Sequence, residues 1–390
     1  MEGVRKIGTH GDAESECRTP PAVEDPRSSD VPYSGGLPHP VTVIPLHEIH
    51  VILTGPAAHG HIVVNTGHPG RSLSEGHFQA ENVMFQHILV PVDTSTFAER
   101  ALPHALAVAT AMRARVDLVM VHEMRPLGER IATLGSEMVE AQLREIEEEY
   151  LETLALRLAG ILMHEPGVKL LNGTPAAALS RFVNRKGIDL IVMSTHGRGG
   201  FNRAWLGSVA DALVRRSRVP ILLVKPANEA SEHSVASIDR VLVAVDGSDG
   251  GELAAAHAAT LCAATRAECM VVRVVVPQVQ VIASRIPDTA AMVHEKLEAE
   301  THESERYLTE LPGRINLPGS TRTEVIRAID TAAAILRAAE ADRSDMVVVG
   351  TRGHGGATRL ILGSVADKVI RGSHVPVLIC PSPRAMRSVA

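Results

Sequence analysis

From residue 84 onward the hydrophobic positions fall into short unbroken runs separated by longer amphipathic stretches. His87–Val92 is apolar almost throughout, Phe97–Arg113 has a helical period, and Arg115–His122 is a second apolar run. Glu137–His164 reads as a glutamate-rich helix, Val168–Leu171 as a short extended piece, and Thr174–Lys186 as a helix. Asp189–Ser194, Ser208–Arg216 and Val219–Val224 then predict strand, helix and strand. Strands that are apolar along their whole length, rather than alternating, are expected where helices cover both faces of a parallel sheet. Five such strands alternating with helices predict a doubly wound α/β domain.

The pattern occurs twice. HILVPVDTSTFAERALPHALAVA (His87 to Ala109) is matched by RVLVAVDGSDGGELAAAHAATLC (Arg240 to Cys262), and GSVADALVRRSRVPILLVKP from Gly207 by GSVADKVIRGSHVPVLICP from Gly363. The second copy predicts strands near Val241–Val245, Glu268–Val275, Thr321–Val325, Met346–Gly350 and Val375–Cys380. Each copy has the length of one ordinary domain, and the period is too long for a solenoid, so the expectation is two tandem domains, 84–227 and 238–381. The polar stretch 228–237 (NEASEHSVAS) reads as their linker and 382–390 as a tail. Residues 1–83 are different: Pro- and Gly-rich patches, eight histidines and no helical period predict a largely disordered N-terminal extension. Met84 stands just before the first strand, and a start there would make the upstream segment a misassigned start.

Composition narrows the partners. A formal charge of −6 and an aromatic content of 2% supply neither the basic surface nor the stacking platforms of a nucleic-acid binder. The four cysteines, Cys17, Cys262, Cys269 and Cys380, form no CxxC or zinc-type cluster and read as free thiols of a reducing compartment. No apolar run is long enough to span a bilayer and no signal peptide is visible, which predicts no membrane partner and a cytoplasmic location.

The candidate chemistry lies where glycines crowd together. STHGRGGFNRAWLGSVAD runs from Ser194 to Asp211, and its counterpart GTRGHGGATRLILGSVAD from Gly350 to Asp367. In a doubly wound sheet, ligands bind beyond the carboxyl ends of the strands at the switch point. Ser194 and Gly350 end the fourth strands, and Asp93 and Asp246 end the first, so each pair is expected across one crevice. Gly207-Ser208 and Gly363-Ser364 open helices, whose free N–H groups and dipole suit an anion. Ser208 and Ser364 either N-cap those helices or donate to phosphate, and Asp93 and Asp246 either meet a ligand or cap the helices that follow them. His196, Arg198 and Arg352 beside the loop are either phosphate contacts or solvated surface, and the acidic run Glu145–Glu149 reads as a solvated helix face.

The spacing G-x2-G-x9-G-[ST], carried in full by Gly350, Gly353, Gly363 and Ser364 and with serine first in Ser194, Gly197, Gly207 and Ser208, resembles the nucleotide-binding pattern of the universal stress protein family. The openings VPVDTS and VAVDGS and the closings VPILLV and VPVLIC resemble the same family, over roughly Met84 to Pro381. The resemblance implies an adenine-nucleotide α-hydrolase-like fold with strand order 3-2-1-4-5 and an ATP site. It implies Asp93 and Asp246 on the ribose or adenine side, Val121 and Val274 lining the adenine pocket, and the glycines and serines of the loops around the phosphates. A magnesium ion would accompany the triphosphate. Ser194 sets a Cβ where the pattern has glycine, making the second domain the expected stronger site. In this family the final strands commonly pair between domains, which implies an internal pseudo-dimer or a homodimer of whole chains.

Three function classes compete: a nucleotide-binding stress or signalling protein with weak or no turnover, an enzyme on the same fold, and a dimeric scaffold with a dead pocket. No Gly is followed by Lys, so the P-loop GxxxxGK[ST] is absent. The pyrophosphatase pattern SGGxDS and the nucleotidyltransferase pattern HxGH are absent from the fold, and no nucleophile with a paired base stands beside the loop. The first class is the expectation, with no catalytic residue and no protein-held metal.

Overall fold

The computed structural model describes residues 84–123, 136–195, 206–225, 236–277, 290–351 and 362–382. The expectations for residues 1–83, for most of the linker, for most of the tail, and for His196, Gly197, Arg198, Arg352 and Gly353 lie outside these residues.

The first half consists of β1 (His87–Pro91), α1 (Thr96–Glu99), α2 (Leu102–Met112), β2 (Arg115–His122), α3 (Ser136–Ala159), β3 (Gly167–Asn172), α4 (Pro175–Lys186), β4 (Leu190–Ser194), α5 (Ser208–Arg216) and β5 (Ile221–Val224). The second consists of β6 (Arg240–Ala244), α6 (Asp249–Thr265), β7 (Glu268–Val275), α7 (Ala290–Ile315), β8 (Arg322–Arg327), α8 (Thr331–Asp342), β9 (Met346–Gly350), α9 (Ser364–Gly372) and β10 (Val377–Cys380). The sheet order is β3-β2-β1-β4-β5-β10-β9-β6-β7-β8. Each half therefore has the order 3-2-1-4-5, parallel throughout, and the two halves share one ten-stranded sheet.

Both faces of that sheet are covered. Ile88, Val90, Val241, Val243, Met346 and Val348 face α2, α3, α6 and α7. Their neighbours Leu89, Leu242, Val347 and Val349 face α4, α5, α8 and α9. The period of two thus persists through strand interiors that are apolar on both faces.

The halves join where β5 and β10 pair antiparallel, with Leu223 opposite Val377, Leu222 opposite Leu378 and Ile221 opposite Ile379. Leu222 meets Leu378, its own counterpart in the other copy, so a local two-fold axis passes through this pair. Each last strand is flanked on both sides, β5 by β4 and β10 by β9. The edges that were expected to seek a partner find it inside one chain. On α5 and α9, the helices that lead into the seam strands, Arg215 pairs with Asp211 at 2.9 Å and Arg371 with Asp367 at 2.8 Å. Beneath it α2 packs on α6, and the buried ring of His257 stacks on Phe85 at 5.3 Å. Burial pushes the His257 imidazole down to about 4, so it packs as a neutral ring.

One expected helix is two. The stretch Phe97–Arg113 breaks at Arg100-Ala101, between α1 and α2. Pro103 stands in the first turn of α2; its ring lacks an N–H and collides with the carbonyl four residues earlier, so the turn cannot continue from α1. The second copy has Ala256 at this place, and α6 is continuous. The helix expected over Glu137–His164 ends at Ala159, where Gly160 follows.

Candidate functional site

At the carboxyl end of the first half's strands lies a cleft of about 610 Å³. Asp93, Val121, Ser194, Gly207 and Ser208 all line it. It sits where β1 and β4 adjoin while their connections leave to opposite faces, the switch point of the half-sheet.

The Asp93 wall is built by a short turn. Asp93 Oδ1 accepts from the Ser95 N–H at 3.1 Å and from the Ser95 hydroxyl at 2.5 Å. Ser95 Oγ in turn accepts from the Ala98 N–H at 3.1 Å and caps α1. Asp246, Ser248 and Gly251 repeat the arrangement, with 3.0, 2.5 and 3.2 Å. The caps are therefore serines, and the aspartates hold the serines. This corrects the alternative in which the aspartates cap the helices. The turn needs a left-handed residue: Gly247 has φ +83° and Thr94, at the equivalent place, has φ +65°. A β-branched residue there is a costly conformation that the surrounding hydrogen bonds must enforce. Ser95→Ala and Ser248→Ala are each expected to lower stability by about 1 kcal/mol, read as a fall in the thermal midpoint.

The loop wall closes on itself in both copies. The Gly207 N–H donates to the Thr195 carbonyl at 2.8 Å, and the Gly363 N–H to the Thr351 carbonyl at 2.8 Å. Thr195 and Thr351 are anchored to the last strands through Val224 O at 2.9 Å and Cys380 O at 2.8 Å. Thr195 is thereby tied to Gly207, and Thr351 to Gly363. Gly207 and Gly363 are the N-cap residues, without a side-chain cap. Ser208 and Ser364 are the first residues inside their helices, which removes the capping alternative for them. The first intrahelical bond runs from the Asp211 N–H to the Gly207 carbonyl at 2.8 Å. The N–H groups of Ser208, Val209 and Ala210 therefore have no intrahelical acceptor, and all three residues line the cleft.

A universal stress protein family model matches residues 84–225 and again 237–381. The chain belongs to the universal stress protein family. A universal stress protein of Methanocaldococcus jannaschii is 32% identical over 146 residues, 36% of this chain and 83% of that one. One from Mycobacterium tuberculosis is 25% identical over 312 residues, 75% of this chain and 95% of that one. The crystal structure of an Archaeoglobus fulgidus universal stress protein aligns with a TM-score of 0.55 at 24% identity, covering 77% of this chain and 98% of that one. At that identity the structural likeness speaks to the fold.

Within this universal stress protein fold the second half repeats the aspartate–serine turn and the loop closure, with one informative difference. A Cβ at Gly350 would stand 2.9 Å from the Gly250 carbonyl oxygen, and one at Gly251 would stand 2.8 Å from Asp246 Oδ1. The glycine at the end of β9 is thus required by helix α6 pressing on the strand. In the first half Phe97, Ala98 and Ser194 occupy the three places, and α1 is the short, broken helix. The Gly350-to-Ser194 difference goes with this difference in helix packing beside the site. Val121 and Val274 are half-buried at matching positions of β2 and β7.

Residues that sequence reasoning missed complete the first cleft. His122, at the end of β2, is buried and lies between Glu147 and Glu140. Glu147 belongs to the run read as a solvated face; Glu145, Glu148 and Glu149 are exposed as expected, but Glu147 is half-buried and lines the cleft. The signal available in the sequence was His122 standing where the other copy has Val275. Among the described residues no group of three or more His, Cys, Asp or Glu side chains is arranged to hold a metal ion, and no helix is long and apolar enough to cross a membrane.

Proposed function

We propose that this universal stress protein binds an adenine nucleotide, ATP with its magnesium ion, in the first-half cleft and in the equivalent place of the second half. It acts as a cytoplasmic stress-response or signalling protein with little or no turnover. The domains are taken as 84–227 and 238–381. The observation that carries the reading is the α5 N-terminus: three N–H groups without intrahelical acceptors line a cleft roomy enough for a nucleotide, opposite the Asp93 carboxylate. That arrangement suits phosphates at the helix end and ribose hydroxyls at the aspartate. Thr195, Gly207 and Ser208, with Thr351, Gly363 and Ser364, position the phosphate side. Gly197 and Gly353 complete the loops, and Val121 and Val274 flank the base. The magnesium ion would be held by phosphate oxygens and water.

The test is isothermal titration with magnesium and ATP. Wild type is expected to bind, and Ser208→Glu with Ser364→Glu to weaken binding at least about tenfold, because a carboxylate at the helix N-terminus competes with phosphate. The same charge favours the helix, so the thermal midpoint should hold. Absence of heat at millimolar ATP in wild type would establish the scaffold reading instead.

A further inference from the structure

β2 ends on His122 where β7 ends on Val275. His122 Nδ1 lies 2.7 Å from Glu147 Oε2, and Nε2 lies 2.8 Å from Glu140 Oε1. Both glutamates belong to α3. A neutral imidazole has one N–H and one lone pair, and an ionised carboxylate can only accept. Carboxylates at both ring nitrogens therefore require one proton beyond the neutral ring, carried as an imidazolium that donates twice or as a protonated carboxyl. Val275 offers α7 no such bond.

We propose that His122 is a proton-operated clasp that holds the first half of α3 against the first cleft, so that this cleft, and not its second-half counterpart, responds to pH. Val121, His122, Glu123, Leu143 and Glu147 form this side of the cleft, so releasing α3 moves a wall of the site. The charged groups at the ring are Glu140 and Glu147 on α3, while Glu123, next in the chain, and Asp93 line the same cleft. On β3 the facing residue is Asn172, which accepts from Arg144 at 2.5 Å. Farther along α3 a separate tether holds: Tyr150 donates to Glu99 at 2.8 Å and Arg157 at 3.1 Å. The clasp therefore governs the first turns of α3 and leaves the rest docked.

Burial pushes the His122 imidazole down, but its hydrogen bonds to Glu140 and Glu147 and their charges outweigh that, and its pKa is raised. A raised histidine contributes stability that is fully present below the ordinary imidazole value and is lost as pH climbs through the raised one. Above it a lone pair faces a carboxylate, and two like charges share the ring.

Hydrogen exchange on the nucleotide-free full chain tests the clasp. Peptides from residues 136–147 are compared with peptides from the start of α7, which cancels the intrinsic effect of pH. Between about pH 6 and about pH 10, the α3-to-α7 exchange ratio is expected to rise about tenfold or more, the loss of a charge-assisted bond. His122→Val should remove this pH dependence. So should the milder pair Glu140→Gln with Glu147→Gln, whose amides satisfy a neutral ring and keep α3 protected. A ratio constant with pH in wild type, or a dependence surviving in the glutamine pair, overturns the clasp. The link to the cleft rests on the nucleotide reading and has its own arm. ATP binding to the first half should weaken over the same pH range and cease to do so in the glutamine pair. Constant affinity while α3 opens overturns the link. If no ATP binds at any pH, the nucleotide reading fails and exchange alone decides the clasp.

Discussion

Leu222→Asp or Leu378→Asp is expected to split the ten-stranded sheet at its centre. The two leucines are 1% exposed and stand opposite one another across the β5–β10 seam. A carboxylate there has no polar partner, and leaving a buried charge unpaired costs on the order of 5 kcal/mol. That is comparable with the whole stability of a typical domain. The seam is the weak place because each half keeps its five parallel strands and both helical layers without it. Opening it would expose the apolar edges of β5 and β10, which invite pairing between chains. Light scattering on a sizing column should show higher oligomers, with a large fall in thermal midpoint. Leu156→Asp, at a position 77% exposed, serves as the control and should change neither. An unaltered mass and midpoint in the seam variants would mean that the halves are held by α2 on α6 and the strand pairing is incidental.

The second large effect is expected at Gly350. Valine there would force its Cβ to within 2.9 Å of the Gly250 carbonyl oxygen and 3.1 Å of the Gly250 carbonyl carbon. Both are backbone atoms in the first turn of α6, so no side chain can swing away and the helix itself must shift. Overpacking of this kind costs about 1–3 kcal/mol, or roughly 2–5 °C in midpoint for a protein of this size. The displaced turn includes Gly251, whose N–H reaches Ser248, the residue held by Asp246. Gly350→Val should therefore also disturb the Asp246–Ser248 turn. Ser194→Gly, the opposite exchange in the first half, meets no such wall and should cost no more than about 1 kcal/mol of backbone entropy. Equal penalties at the two positions would contradict the packing account.

Much of the fold was legible because strand and helix periods are local. Arg115–His122, Ser208–Arg216, Glu268–Val275 and Met346–Gly350 have in the structure the bounds that their patterns predict. Where the reading failed, something non-local or single-residue intervened. Pro103 broke a helix whose apolar period runs through it. The capping roles stayed open because Asp93, Ser95, Gly207 and Ser208 are all residue types that can end a helix. Only the turn geometry shows which oxygen meets which N–H. The Thr195-to-Gly207 closure is a backbone bond, and the side chains carry no trace of it. His122 was passed over because its partners lie 18 and 25 residues farther on, on a helix whose glutamates otherwise face water.

The antiparallel seam has a consequence for how unlike the two clefts can be. Were the same sheet built from two copies of one chain, every substitution would appear on both sides of the axis. A proline in one α2 would be a proline in the other, and no histidine could enter one cleft alone. With both halves on a single chain, each position is specified separately. Pro103 faces Ala256 across the pseudo-axis, Ser194 faces Gly350, and His122 faces Val275. The common backbone keeps the architecture of a matched pair, while the side chains are free to set a histidine beside one pocket and an aliphatic residue at the matching place of the other half.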